Sequence, residues 1–298
     1  MPDILFITNP ISGTSKKSKI ISDISDIVNA GGLSSEVRLT EYKGHAKEIA
    51  QKAISEGIKK IVAVGGDGTV NEVASALVGT DVALGIIPCG SGNGLARHLK
   101  IPMNHKKAMK VIIDGIVDRI DVCTIGDRYF FCTFGLGFDA EVAKHFAERG
   151  KRGILNYIKS AVFVNRHYVP QRYEISSPDF KLNEVYQVIA VGNASQYGNN
   201  AFIAPFASLR DGKIDVVLIK PSPLLSRFEM ASRMFLKRLK PGKRISMFKT
   251  DSVTLHPVNG EIFNAHADGE ALSLSGTIDI NCRPLSLTVL LPKELKSF

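Results

Sequence analysis

Apolar positions in the first 120 residues alternate between two periods. Short apolar runs at Ile4–Thr8, Ser35–Thr40, Lys60–Val64 and Val82–Ile87 read as strands. Between them, apolar residues at 3–4 spacing predict amphipathic helices over Lys17–Asn29, His45–Glu56 and Thr69–Leu77. This rhythm predicts a parallel sheet covered by helices, with ligands at the carboxyl ends of the strands. From Val117 the rhythm changes. Asp118–Ile125 and Arg128–Phe134 predict a hairpin around Gly126-Asp127. Strand-like runs follow at Gln171–Ser176, Val185–Gly192, Ile214–Ile219, Ser252–His256, Ile278–Cys282 and Leu285–Leu291, interrupted by helical stretches near Asp139–Arg166 and Leu224–Lys240. The pattern therefore predicts an α/β domain over residues 1–120 and a mostly antiparallel β domain over 121–286.

Three loops of the first half follow predicted strands and so fall on one edge of the sheet. They are Asn9-Pro10-Ile11-Ser12-Gly13, with Lys16 and Lys17 beyond it; Gly65–Glu72; and Pro88-Cys89-Gly90-Ser91-Gly92-Asn93-Gly94. Each offers small residues, hydroxyls or backbone N–H donors, the inventory of a polyphosphate cradle. In the second loop Gly65, Gly66 and Gly68 let the backbone approach a ligand, and a helix starting near Thr69 aims its unpaired N–H groups there. Asp67 lies inside this loop, where a carboxylate is expected to need a bound cation. Nucleotide phosphate with Mg²⁺ meets these demands together. No GxxxxGK[ST] run occurs, so the cradle differs from the P-loop.

Composition narrows the class without choosing it. The 298 residues are 44% hydrophobic and 22% charged, as in a soluble globular protein. No apolar run reaches the roughly 18 residues of a membrane span. The N-terminus reads as a strand and not as a signal peptide. Cys89, Cys123, Cys132 and Cys282 form no CxxC pair, which suits a reducing cytosol. The net charge of +9 asks for an anionic partner: nucleic acid, acidic lipid or nucleotide phosphate.

Seven motifs in order carry a resemblance. They are NPxSG at Asn9–Gly13, Thr40 ahead of Gly44-His45-Ala46, GGDGTxNE at Gly65–Glu72 and PxGSGN at Pro88–Asn93, then GxGxDAxV at Gly135–Val142, DGxxD at Asp211–Asp215 and DGE at Asp268–Glu270. Across essentially its whole length the chain resembles the diacylglycerol kinase catalytic-domain family, which includes sphingoid-base and bacterial lipid kinases. GGDGT alone is shared with NAD kinases and phosphofructokinase-like enzymes. The resemblance implies a nucleotide-binding α/β domain, completed by residues 287–298, and a β-sandwich-like lipid-substrate domain, with the active site in the cleft between them. It implies transfer of the γ-phosphate of ATP, with Mg²⁺, to a lipid hydroxyl.

Carried over by position, the resemblance places the nucleotide against Asn9, Pro10, Ile11, Ser12, Gly13, Thr40, Gly66, Asp67, Gly68, Thr69, Val70, Asn71, Glu72 and Ser91. A structural Mg²⁺ would sit on the Asp211 carboxylate with the Ser208 and Lys213 carbonyl oxygens. The base would be Asp268 or Glu270, with Asp67 as the other candidate. Two positions depart from the pattern. Gly94 stands where many bacterial relatives have Asp, and Thr14 where a basic residue is expected, with Lys16 a substitute.

Other signals weigh less. Gly135–Ala140 also fits a GxGxxA dinucleotide fingerprint, but the stretch after it reads as more helix. His266, Asp268 and Glu270 alternate as on one strand face, which suits catalysis or Mg²⁺ handling better than a transition-metal site. Residues 224–249 hold Arg227, Arg233, Lys237, Arg238, Lys240, Lys243, Arg244 and Lys249 against Glu229. A helical wheel puts Leu225, Phe228, Ser232, Phe235 and Leu239 on one face and exposes Met230 and Met234, a candidate contact with an anionic membrane. The alternatives are a soluble-substrate kinase of the NAD-kinase type and a basic nucleic-acid or acidic-lipid binding protein with a vestigial kinase site. The leading reading expects a cytoplasmic protein that visits membranes and binds no nucleic acid; a homodimer is left open.

Overall fold

The computed structural model describes residues 2–11, 17–149, 154–259 and 262–294. It divides into two compact units, Met1–Val122 with Leu285–Phe298, and Cys123–Pro284.

The first unit is an α/β layer structure. Its elements are β1 (Ile4–Thr8), α1 (Lys17–Ala30), β2 (Ser35–Leu39), α2 (His45–Ser55), β3 (Lys60–Gly65), α3 (Asp67–Leu77), β4 (Ala83–Pro88), α4 (Gly94–His98) and α5 (His105–Asp114). The strands lie parallel in the order β2-β1-β3-β4, with Val289 of the last strand pairing Leu84. Every residue of β1 and β4 is buried, which is why these strands read as unbroken apolar runs. Helices α2 and α3 pack together, as do α1 and α5, where the His105 Nε2 lies 2.7 Å from Asp23 Oδ2. Chain order reverses between β1 and β3, the place where open α/β sheets bind ligands.

The second unit holds two antiparallel sheets. Strand β5 (Ile116–Ile125) enters it and pairs with β6 (Arg128–Phe130). Next come β7 (Thr133–Gly137), α6 (Phe138–Glu148), α7 (Ile154–His167), β8 (Gln171–Ser176), β9 (Lys181–Tyr186) and β10 (Val188–Gly192). Last are β11 (Ile214–Ile219), α8 (Leu224–Phe235), β12 (Ile245–Thr250), β13 (Ser252–Pro257), β14 (Ile262–Ala267), β15 (Glu270–Ser275) and β16 (Ile278–Leu291). One sheet runs β12-β11-β10-β7-β14-β15, and the start of β16 pairs with β13, which continues to β8 and β9. Phe130, Phe134, Leu136, Ile175, Ile189, Val216, Leu255 and Ile280 form a core drawing on both sheets, the hallmark of a sandwich.

The expected hairpin ends sooner than its pattern suggested. Phe134 belongs to β7, which pairs with β10 and β14. Those partners are antiparallel, so Gly135–Ala140 opens no parallel dinucleotide-binding unit. Ile278–Leu291 is one strand and not two. It passes Leu285 at φ 47°, where the Leu285 N–H donates to the buried Asp121 carboxylate at 2.8 Å. The helical stretch after Asp139 is two helices.

The basic segment also differs from its helical wheel. Helix α8 stops at Phe235, and Lys237 takes a left-handed φ of 54° ahead of Pro241. Met230 and Met234 pack inward against the cluster of Val188, Ile219, Leu239 and Ile245, while Phe235 is 48% exposed. Thioethers fill that irregular space better than a rigid ring. The side chains of Leu225 and Phe228, on which the expected face also rested, lie outside the described residues.

Candidate active site

In the first unit three loops meet at the carboxyl edge of β1, β3 and β4. The Asn9 N–H donates to Val64 O at 3.2 Å, and the Cys89 N–H to Gly65 O at 2.7 Å. The Asn9 side chain bonds the Ile11 N–H at 2.9 Å, turning the loop outward, with Pro10 and Ile11 exposed. Ser12 and Gly13, with Lys16 beyond them, lie outside the described residues. Thr40 is buried and its N–H donates to Thr8 O at 3.0 Å, so it flanks the end of β1.

The two glycine turns touch backbone to backbone. A Cβ on Gly90 would lie 2.7 Å from the Gly66 Cα, and one on Gly66 would lie 3.2 Å from the Gly90 Cα. Gly68 is exposed, and a Cβ there would meet nothing within 4 Å. Ser91 is exposed on the facing turn.

Helix α3 starts at Asp67, two residues before the expected Thr69, because Gly66 serves as an extended N-cap. The protein itself supplies hydrogen-bond donors to Asp67. Its Oδ2 accepts the Asn93 N–H at 2.8 Å and its Oδ1 the Gly94 N–H at 2.7 Å. Burial holds this carboxyl above its ordinary value, and the Gly94 and Asn93 N–H groups with the Arg97 guanidinium offset that only in part. Arg97 also clamps the loop by donating to Gly92 O at 2.9 Å. Thr69 and Val70 are buried, so their side chains serve the core. Glu72 turns toward α2, accepting the Gly44 and Ala46 N–H groups at 2.9 and 3.1 Å. That is an N-terminal cap. Asn71 stays half-buried beside Ser75.

In the second unit the three residues expected on one strand face separate. His266 is buried in β14, with its Nε2 3.1 Å from Asp139 Oδ2. Asp268 forms the β14–β15 turn at φ 50°. Its carboxylate accepts three backbone N–H groups, from Phe131 at 2.9 Å, Cys132 at 2.7 Å and Thr133 at 3.1 Å. Glu270 is exposed at the start of β15. The turn breaks the alternation, so these side chains do not converge. Among the described residues no three of His, Cys, Asp or Glu gather as a metal cluster.

Asp211 sits in the connection from β10 to β11. Its Oδ1 accepts the Lys213 N–H at 3.2 Å, its Oδ2 pairs with the Lys249 ammonium, and the Ser208 hydroxyl accepts the Arg210 N–H at 3.2 Å. The ammonium also lies 3.6 Å from Oδ2 of Asp215, whose carboxyl is pushed up to about 6 by burial, lowered by Lys249 and raised by Asp211.

Known proteins resemble the chain in sequence and in fold. Residues 3–125 match the diacylglycerol kinase catalytic domain, and residues 133–291 match the YegS C-terminal NAD kinase beta sandwich-like domain. The chain belongs to this kinase family. A "probable lipid kinase YegS-like" of Chromohalobacter salexigens is 31% identical over 216 residues, 70% of each chain. One from Pectobacterium atrosepticum is 33% identical over 201 residues, 65% of this chain and 67% of that one. One from Enterobacter sp. is 26% identical over 98% of this chain and 97% of that one. A diacylglycerol kinase structure from Bacillus anthracis superposes with TM-score 0.77 over 97% of each chain at 19% identity, which speaks for the fold. No helix among the described residues is long and apolar enough to cross a membrane.

The kinase also holds a buried network that motif reading passed over. Asp139 Oδ2 accepts the Tyr197 hydroxyl at 2.6 Å besides facing His266. A Cβ on Gly135 would lie 2.4 Å from both Asp139 and His266, so the GxGxDA glycine is demanded by this polar contact. The motif was visible in the sequence. Its partner Tyr197 lay 58 residues away with no local signal.

Proposed function

We propose that the chain transfers the γ-phosphate of ATP, with Mg²⁺, to the hydroxyl of diacylglycerol or a related lipid such as a sphingoid base. The observation that carries this is the Gly66–Gly90 backbone contact in a member of this family. It leaves a side-chain-free floor at the sheet edge, where phosphate oxygens can meet backbone N–H groups. Asn9–Gly13, Thr40, Gly66–Glu72 and Ser91 form the nucleotide cradle, with Thr40, Val70 and Glu72 acting by support. Asp67 fits a nucleotide-borne Mg²⁺, since each of its oxygens accepts one N–H and a carboxylate offers about four lone-pair sites. Bound there, Mg²⁺ neutralises phosphate charge as transfer proceeds. Glu270 is the base that takes the lipid hydroxyl proton, and Asp268 holds the turn that presents it.

The domain roles follow as proposals: nucleotide on the first unit, lipid on the second. The lipid-facing surface is the outward side of α7 and α8, which meet where Arg227 bonds Asn165 at 2.6 Å. Ile158, Val162 and Phe163 are 47–49% exposed on α7 beside exposed Lys159 and Arg166. Phe235 and Leu236 are exposed beside Lys237 and Arg238. Apolar side chains among bases suit an anionic bilayer surface. Converting Ile158, Val162 and Phe163 together to Ser is expected to weaken partitioning onto phosphatidylglycerol vesicles by about tenfold or more. Vesicle co-sedimentation without ATP measures this, and unchanged partitioning removes α7 from the surface.

The reading as a whole is tested with labelled ATP, Mg²⁺ and mixed micelles of diacylglycerol, monoacylglycerol, phosphatidylglycerol, a sphingoid base or ceramide. NAD serves as the soluble acceptor. Label in one lipid is the expected outcome. Label in NAD alone overturns the lipid reading.

A further inference from the structure

Both oxygens of Asp211 are already engaged, and that bears on the metal expected there. Asp211 Oδ1 takes the Lys213 N–H and Oδ2 takes the Lys249 ammonium. Lys249 reaches this place because β12 pairs with β11 in a register that sets it opposite Asp215. Asp215 is buried, and its Oδ2 accepts no hydrogen bond. One ammonium therefore serves two carboxylates.

A Mg²⁺ ion demands about six oxygens in near-octahedral array at roughly 2.0–2.1 Å and gives up water reluctantly. Here it would have to displace the Lys249 ammonium from the carboxylate or sit beside a full positive charge, which the N–H groups on a carboxylate such as Asp67 do not impose. The residues do not fit it. We propose that Lys249 is the resident cation of this turn, standing where a divalent ion was expected, so the protein folds without a structural metal. Lys249 is thus tied down as counter-ion to the two carboxylates while its side chain stays 40% exposed. Removing one partner from such a group leaves charge uncompensated, which is strongly unfavourable for the buried Asp215.

The inference concerns residues of the second unit and is read with neither nucleotide nor lipid, so it stands or falls apart from the kinase reading. The experiment is thermal unfolding of the nucleotide-free protein in EDTA and in millimolar Mg²⁺. Wild type and Lys249→Arg are expected to melt at the same temperature in both. Lys249→Met is expected to melt lower in EDTA and to regain about 5 °C in Mg²⁺, as the freed carboxylates accept the dication. A saturable Mg²⁺-dependent rise in the wild type, abolished in Asp211→Asn, overturns the proposal. So does a Lys249→Met protein as stable as wild type and blind to Mg²⁺. Should Lys249→Met fail to fold, wild type against Asp211→Asn decides alone.

Discussion

Glu270→Gln is expected to lower kcat on micellar lipid by roughly 10²–10⁴-fold, the usual worth of a positioned general base. Its nucleotide affinity and thermal midpoint should stay near wild type. The side chain is exposed at the start of β15, and the isosteric amide preserves shape while losing the proton acceptor. Asp268→Ala should behave differently, although the two residues share one motif. Three N–H groups of Phe131, Cys132 and Thr133 converge on Asp268. Leaving each unpaired costs about 1–3 kcal/mol where burial is complete. A fall in the thermal midpoint, with activity lost in proportion to folded protein, is the expected signature. A carboxylate committed to three donors has few lone pairs left for a substrate proton. Full activity in Glu270→Gln would move the base to Asp67. A stable but inactive Asp268→Ala would return Asp268 to the chemistry.

That division between neighbours in DGE shows what a linear motif carries. The apolar runs of β1, β3 and β4 are buried throughout, so their period needs no tertiary knowledge, and the loops after them could be placed on one edge. Strands β9, β12, β14 and β15 escaped the pattern for local reasons. Strand β14 buries His266 on the face opposite Phe263 and Ala265, where alternation calls for an exposed polar residue, because Asp139 supplies its partner from α6. Strand β9 is mostly half-exposed along its length, and so mixes polar residues into both faces. The break at Asp268-Gly269 needed a left-handed φ at a non-glycine residue, which composition does not announce. The Lys249 contact stayed hidden in the same way. Asp211 and Lys213 are adjacent in the motif, whereas Lys249 reaches them only through the β11–β12 register. Asp67 was read as a charge awaiting a cation because its donors, Asn93 and Gly94, lie on another strand's loop. Contacts between loops of different strands are where sequence reading ran out.

The same loop contact yields a test that separates folding from ligand binding. Gly90→Ala would force a methyl to within 2.7 Å of the Gly66 Cα and 2.9 Å of the Asn93 Oδ1, so the turns must part. Parting them strains the Gly90 N–H to Asn93 Oδ1 bond at 2.9 Å and the two N–H bonds onto Asp67. The thermal midpoint should drop, and the KM for ATP should rise by tenfold or more. Gly68→Ala is the counterpart. Its Cβ meets nothing within 4 Å, it lies in the first turn of α3, and alanine there gains up to about 1 kcal/mol of helix propensity. Its thermal midpoint should therefore hold or rise. If the phosphates rest on this turn, the added methyl occupies their approach, and the KM for ATP should still rise by tenfold or more. Thermal unfolding and initial-rate kinetics on the two variants check both statements. A Gly68→Ala protein with wild-type KM would remove the nucleotide from this floor, whatever Gly90→Ala does.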